Sequence, residues 1–127
     1  LARSTVRYSS LGPLLVAHSA FPTTARDAVF FGPDTYRTCR AIRGEFRAAP
    51  EFAPEMLVDI GAGAGAVGLY AASLLPGRPR AILTDISAAA LRMCAVNARL
   101  NGFETVELRE GDALSAVPEP AQLYLCN

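Results

Sequence analysis

Lysine is absent from this 127-residue chain: all 12 basic residues are arginine, against 12 acidic ones, and the formal net charge is zero. A zero balance exerts no general pull toward nucleic acid. A phosphate-binding P-loop is excluded as well, because no G-K-[ST] follows any glycine cluster. Cysteine is scarce and odd in number. Cys39, Cys94 and Cys126 show no C-x-x-C spacing, which argues against a metal site and against a disulfide framework. They read as reduced, buried small hydrophobes of a cytosolic protein. The single histidine, His18, has no Cys, His or carboxylate pattern around it and reads as a hairpin or surface residue. No metal is expected. No apolar run approaches the roughly 18 residues of a membrane span, and "LARSTVRYSSLGPLL" alternates polar and apolar residues where a signal peptide is continuous. A cytoplasmic location without membrane association is the expectation. The missing initiator Met and the abrupt end at Asn127 point to further residues on both sides.

Hydrophobic residues make up 51% of the chain, which at this length supports one domain with a real core. Residues 5–18 read as two short strands around a Leu-Gly-Pro turn, followed by a loop with a short apolar run, Ala28 to Phe31. Asp34 is a good N-cap for a helix running to about Ala48, with Tyr36, Cys39, Ile42 and Phe46 as its apolar face. Arg37, Arg40, Arg43 and Arg47 form a basic stripe beside that face. A solvated surface with Arg stems covering apolar area explains the stripe better than a phosphate contact does.

From Glu55 onward, strand and helix alternate. "MLVDI" is a buried-type strand, "AVGLYAASLL" a helix stopped by Pro76-Gly77, and "RAILTD" a second strand. Ser87 caps a helix that runs through Leu100 and ends at Asn101-Gly102. "TVELRE" and "AQLYLC" are the third and fourth strands. Short connections between such elements imply an α/β fold, a Rossmann-like parallel sheet with flanking helices and right-handed crossovers. Residues 1–50 read as an N-terminal hairpin and helix appendage, and 51–127 as the cofactor-binding domain.

Ligands of such sheets bind outside the carboxyl ends of the strands. Asp59, Asp85, Asp112 and Asn127 fall at four successive strand ends and line a cleft. Between the first strand and helix lies "VDIGAGAGAVG", whose spacing satisfies two cofactor loops. Gly63, Gly65 and Gly68 fit the G-x-G-x-x-G of a dinucleotide site, while Asp59, Gly61, Gly63 and Gly65 fit the acid-x-G-x-G-x-G of an S-adenosylmethionine site. Asp85, 20 residues past Gly65, suits ribose hydroxyls under both readings. Asp59 discriminates. A carboxylate beside a pyrophosphate repels it, whereas S-adenosylmethionine carries a sulfonium and an ammonium that a carboxylate attracts.

The stretches "VDIGAGAGAVGLYAASLL", "AILTDISAAALRMCAVNARLNG", "VELREGDAL" and "LYLCN" resemble successive motifs of Rossmann-like, class I S-adenosylmethionine-dependent methyltransferases. The likeness is greatest to the "small domain" methyltransferases, which include the glutamine methyltransferases of translation release factors. "VFFGPDTYRTCRAI" resembles the segment entering their catalytic domain. The resemblance implies that Gly61, Gly63 and Gly65 pack against the methionine part of the cofactor and that Asp59 approaches its amino group. It also implies that Asp85 holds the ribose, that Ile86 lies against the adenine, and that Asp112, beside Ala113, faces the adenine amine. Asn127 matches the first residue of the family's N-P-P-Y motif, where it orients the acceptor's NH₂ group and is the catalytic residue. Pro-Pro-Tyr does not follow, Gln122 stands where the family often has Asp, and the long helical domain of release-factor enzymes is not present.

The expected activity is methyl transfer to a planar nitrogen, on a protein glutamine amide or a nucleic-acid base amine. This piece alone is expected to bind cofactor without turning over. The alternatives are a NAD-dependent oxidoreductase using Gly63-x-Gly65-x-x-Gly68 and a non-catalytic cofactor-binding or interaction module.

Overall fold

Strands β1 (Val6–Leu11) and β2 (Leu14–Ser19) form an antiparallel hairpin in which Leu11 pairs with Leu14 across Gly12 and Pro13. Gly12 takes φ +56°, the left-handed value that the first central residue of a type II′ turn requires. The computed structural model describes residues 2–127; Leu1, the first residue of the expected N-terminal appendage, lies outside them. The run Ala28–Phe31 is a loop fastened to the end of β2. Ser19 N–H donates to the Val29 carbonyl at 3.0 Å, and Val29 N–H donates to Ser19 Oγ at 2.7 Å. His18 lies on the hairpin and is buried, its ring stacked on Phe31 with centroids 5.0 Å apart.

Helix α1 (Pro33–Ala48) begins one residue before the expected Asp34 cap. Pro33 needs no hydrogen-bond acceptor at the first helical position and presets the helical φ. Asp34 therefore falls in the first turn, where its carboxylate accepts from Arg37 Nη1 at 3.0 Å. The buried stripe is Thr35, Cys39 and Ile42, with Phe46 half-buried; Tyr36 is exposed and donates its hydroxyl to the Ser10 carbonyl at 2.9 Å. Arg37, Arg40, Arg43 and Arg47 are all exposed.

The main sheet has the order β5-β4-β3-β6, all parallel: β3 (Met56–Ile60), β4 (Arg80–Asp85), β5 (Val106–Glu110) and β6 (Leu123–Cys126). Helices α2 (Ala66–Leu74) and α3 (Ala88–Leu100) make the first two crossovers. The chain steps from β3 to β4 to β5 in one direction, then returns to place β6 on the far side of β3. That reversal puts the topological switch point between β3 and β6, where α/β sheets open a ligand crevice. The returning segment is anchored by Glu119, whose carboxylate accepts from Arg109 Nη2 at 2.7 Å. Leu57, Val58, Ile82 and Leu83 of the central strands are fully buried. Helix α2 is buried from Ala66 through Ala72, on every side, because it is enclosed by the sheet, α1 and α3. Cys39 and Cys94 are buried as the sequence implied, but Cys126 is exposed, since β6 is an edge strand.

Two asparagines of α3 fasten the hairpin to this core. Asn97 accepts from Ala17 N–H at 2.7 Å and donates to the Ala17 carbonyl at 2.8 Å. Asn101 does the same with Leu15, at 3.0 and 2.9 Å. Four residues of helix rise about 6 Å and two of strand about 6.6 Å, so the two amides match alternate residues along β2. The second edge of β2 is thereby satisfied without a third strand. Asn97, fully buried, also donates to the Ala64 carbonyl at 2.8 Å and ties the glycine loop into the same clamp.

Candidate active site

At the end of β3 the chain turns through Gly61–Gly65 into α2. Gly61, Gly63 and Gly65 take φ +67°, +56° and +77°, values that residues with a Cβ adopt only with strain. Gly65 is the N-cap of α2 and has no side chain to satisfy the helix's first N–H groups. Asp59 does so from the neighbouring strand: its Oδ2 accepts from Gly68 N–H at 2.8 Å. The positive end of the helix favours a carboxylate there. A Cβ on Gly68 would stand 2.8 Å from Asp59 Oδ2, 2.9 Å from Asp59 Cβ and 2.5 Å from Leu83 Cδ2. The third glycine of the apparent G-x-G-x-x-G is thus accounted for by the close packing of α2 on Leu83 and Asp59. Gly68→Ala is expected to lower stability by about 2 kcal/mol and to shift the Asp59 carboxylate, read as a lower thermal midpoint and weaker cofactor binding.

Asp59 is 2% exposed, and its second oxygen makes no hydrogen bond among the described residues. Burial raises its pKa from 3.8 to about 7, the Gly68 N–H pulls the other way, and the charge of Asp85 adds to the rise. Asp85 ends β4, where Oδ2 accepts from Gly63 N–H at 2.9 Å and Oδ1 from Ser87 N–H at 2.8 Å. Each oxygen keeps a lone pair for another donor. Ser87 caps α3 as expected, accepting from Ala90 N–H. Ile86, next along, is 71% exposed, a large apolar side chain left uncovered at a strand end.

A cavity of about 200 Å³ opens at the switch point. It is lined by Asp59, the loop residues Gly61–Ala64, Asn127, and two residues absent from the sequence-based set, Phe30 and Thr35. Asn127, just past β6, accepts at Oδ1 a short hydrogen bond from the Thr38 hydroxyl. Thr35 and Thr38 are three residues apart on α1 and so share a face. Their spacing was visible in the sequence, but nothing there tied that face to the strand ends. The structure therefore brings Asp59, Gly61, Gly63 and Asn127 into one cavity, with Gly65 where the loop enters α2 and Asp85 linked through Gly63. Asp112 and Ala113 are outside its lining, exposed in the turn after β5. That turn is held beside Asp85 by the Gly111 N–H, which donates to the Asp85 carbonyl at 3.1 Å.

A parallel sheet that reverses direction at a glycine loop, with acids at successive strand ends, defines a Rossmann-like, class I methyltransferase fold. Residues 46–127 match the model of the family described as methyltransferase small domain, and the chain belongs to that family. The family displaces the oxidoreductase reading of the glycines. Among solved structures, the ribosomal protein L11 methylase of Lactobacillus delbrueckii subsp. bulgaricus is similar at 25% identity and a TM-score of 0.63, over 76% of this chain and 48% of that one. A 16S rRNA N2 G1207 methyltransferase of T. thermophilus, solved with AdoMet and guanosine, shares the fold at 18% identity and a TM-score of 0.72, over 98% of this chain and 33% of that one. The tRNA m1G37 methyltransferase of M. jannaschii shares it at 15% identity and 0.68, over 97% and 35%. The chain thus spans between about a third and a half of these structures. No curated protein matches it by sequence. Among the described residues, no helix is long and apolar enough to cross a membrane.

Proposed function

We propose that this chain forms the cofactor-binding and acceptor-orienting part of an S-adenosylmethionine-dependent methyltransferase. Its acceptor is a planar nitrogen, a protein glutamine amide or a nucleic-acid base amine. The observation that carries the reading is one cavity holding both a buried carboxylate beneath a left-handed glycine loop and the amide of Asn127. When bound, the cofactor supplies an electrophilic methyl group. The loop at Gly61, Gly63 and Gly65 offers bare backbone to its methionine part, and the second oxygen of Asp59 receives the ammonium. The lone pairs that Gly63 and Ser87 leave on Asp85 accept ribose hydroxyls. Ile86 covers the adenine, and Asp112, beside Ala113, accepts from its amine.

Asn127 Oδ1 accepts an N–H of the acceptor and holds the nitrogen with its lone pair toward the methyl carbon. Orientation and electrostatic preorganisation then provide the acceleration, with no covalent enzyme intermediate. Thr38, donating to the same oxygen, fixes the plane of the amide and leaves the second lone pair for the acceptor. The similar solved structures include a methylase of a ribosomal protein and methyltransferases of rRNA and tRNA, so macromolecular acceptors of both kinds accord with the reading. Calorimetric titration with S-adenosylhomocysteine and, separately, with NAD tests it. Binding of the first and no heat from the second is expected. Tight NAD binding with no response to S-adenosylhomocysteine overturns the proposal.

A further inference from the structure

Apart from the cofactor-loop cavity, a groove of about 740 Å³ lies between the β1–β2 hairpin and α3. Its floor is apolar, built from Val6, Ala17, Val29, Met93 and Val96. Two aromatic rings stand in it largely uncovered, Phe21 at 87% and Tyr8 at 60% exposure. Arg3 and Arg92 border the groove. Among the described residues neither of these arginines has an ion-pair partner, like most arginines of the chain. The one acid in the lining is Asp27.

Unpaired guanidinium groups around exposed rings recognise a chain that is anionic along its backbone and planar in its side groups, which is single-stranded nucleic acid. A carboxylate among them accepts from a ribose 2′-hydroxyl, which DNA lacks. The zero net charge of the chain does not oppose this, because the attraction is local. One stretch of chain borders both the groove and the site. Ala28 and Val29 line the groove, and the next residue, Phe30, lines the cofactor-loop cavity.

We propose that the groove between the hairpin and α3 docks a single-stranded RNA segment, its bases stacked on Phe21 and Tyr8 and its phosphates held by Arg3 and Arg92. The proposal rests on the methyltransferase reading only in making this RNA the carrier of the acceptor nitrogen.

Fluorescence anisotropy with a labelled oligouridine of about 12 nucleotides tests it, alongside the matched DNA. RNA should bind more tightly than DNA, with a log–log salt slope of about −1.4 for two phosphate contacts at about −0.7 each. Phe21→Ala, at an exposed position, should weaken binding ~10-fold through lost stacking. Arg92→Ala should reduce the slope by about 0.7, and Arg43→Ala on α1 should change neither quantity. No RNA binding, equal binding of DNA, or an unchanged affinity in Phe21→Ala overturns the proposal. Calorimetry with S-adenosylhomocysteine on the same samples separates the two readings. Binding of that ligand without RNA overturns the groove alone, and RNA binding without it overturns the cofactor reading alone.

Discussion

Asp59→Asn is expected to leave the fold intact and to weaken binding of S-adenosylmethionine or S-adenosylhomocysteine by about 10- to 100-fold near pH 7.5, the worth of a charge-assisted hydrogen bond. Asn keeps an oxygen for the Gly68 N–H and the volume that Leu83 and Gly68 enclose. What it removes is the charge offered to the ligand's ammonium. In the free protein, burial holds Asp59 at about 7. An ammonium beside it favours the ionised form, so binding below pH 7 must expel a proton, and affinity should fall as the pH drops through that value. Above roughly pH 8 the ligand's own α-amino group loses its charge and affinity falls again. The variant should lose the acid limb of this profile and keep the alkaline one. Titrations from pH 5.5 to 9 in two buffers of different ionisation enthalpy read both the affinity and the proton release. An acid limb that survives in Asp59→Asn would sink the assignment of the ammonium to this carboxylate.

The same substitution has an opposite effect on stability. Below its ordinary value of 3.8, Asp59 is neutral in the folded and unfolded chains alike, and burying it costs no charge. Between 3.8 and about 7 the unfolded chain releases the proton while the folded chain retains it, so stability from this group declines as pH rises. Above 7 the cost of the buried charge is fully present, on the order of a few kcal/mol. Asp59→Asn should therefore be the more stable protein at pH 8 without ligand, with the difference closing toward pH 4. Urea denaturation at the two pH values measures it.

Asn97→Leu is expected to cost roughly 3–6 kcal/mol, a large share of the total stability of a domain this size. Leu fills much the same volume but leaves three buried backbone groups without partners: the N–H and carbonyl of Ala17 and the carbonyl of Ala64. The loss should appear as release of the hairpin, seen by faster amide exchange at Leu15 and Ala17. Because Ala64 sits in the glycine loop, cofactor affinity should fall with it. Asn101→Leu, in the exposed half of the clamp, should cost only about 1 kcal/mol, because water replaces the lost partner. Equal effects of the two substitutions would mean that burial does not set the strength of the clamp.

Much of this protein was legible along the chain. Hydrophobic period, Gly-Pro breaks and the Ser87 cap are local features, and they set the order of strands and helices to within a residue or two. The run of Asp59, Asp85, Asp112 and Asn127 was visible for the same reason, since a parallel sheet with short crossovers must place successive strand ends on one side. Tertiary structure decided what those residues touch. Gly68 completes the dinucleotide spacing in sequence, and only the close approach of Leu83 and Asp59 shows why a side chain is barred there. Asn101 reads as a helix terminator, yet together with Asn97 it supplies the missing edge partner of a strand 80 or more residues away. Thr35 and Thr38 reach the site because α1 packs against α2, and no local pattern encodes that docking. Element identity follows from interactions within a few residues, whereas the cavity is made by contacts whose partners are far apart in sequence and meet only when the sheet closes around α2.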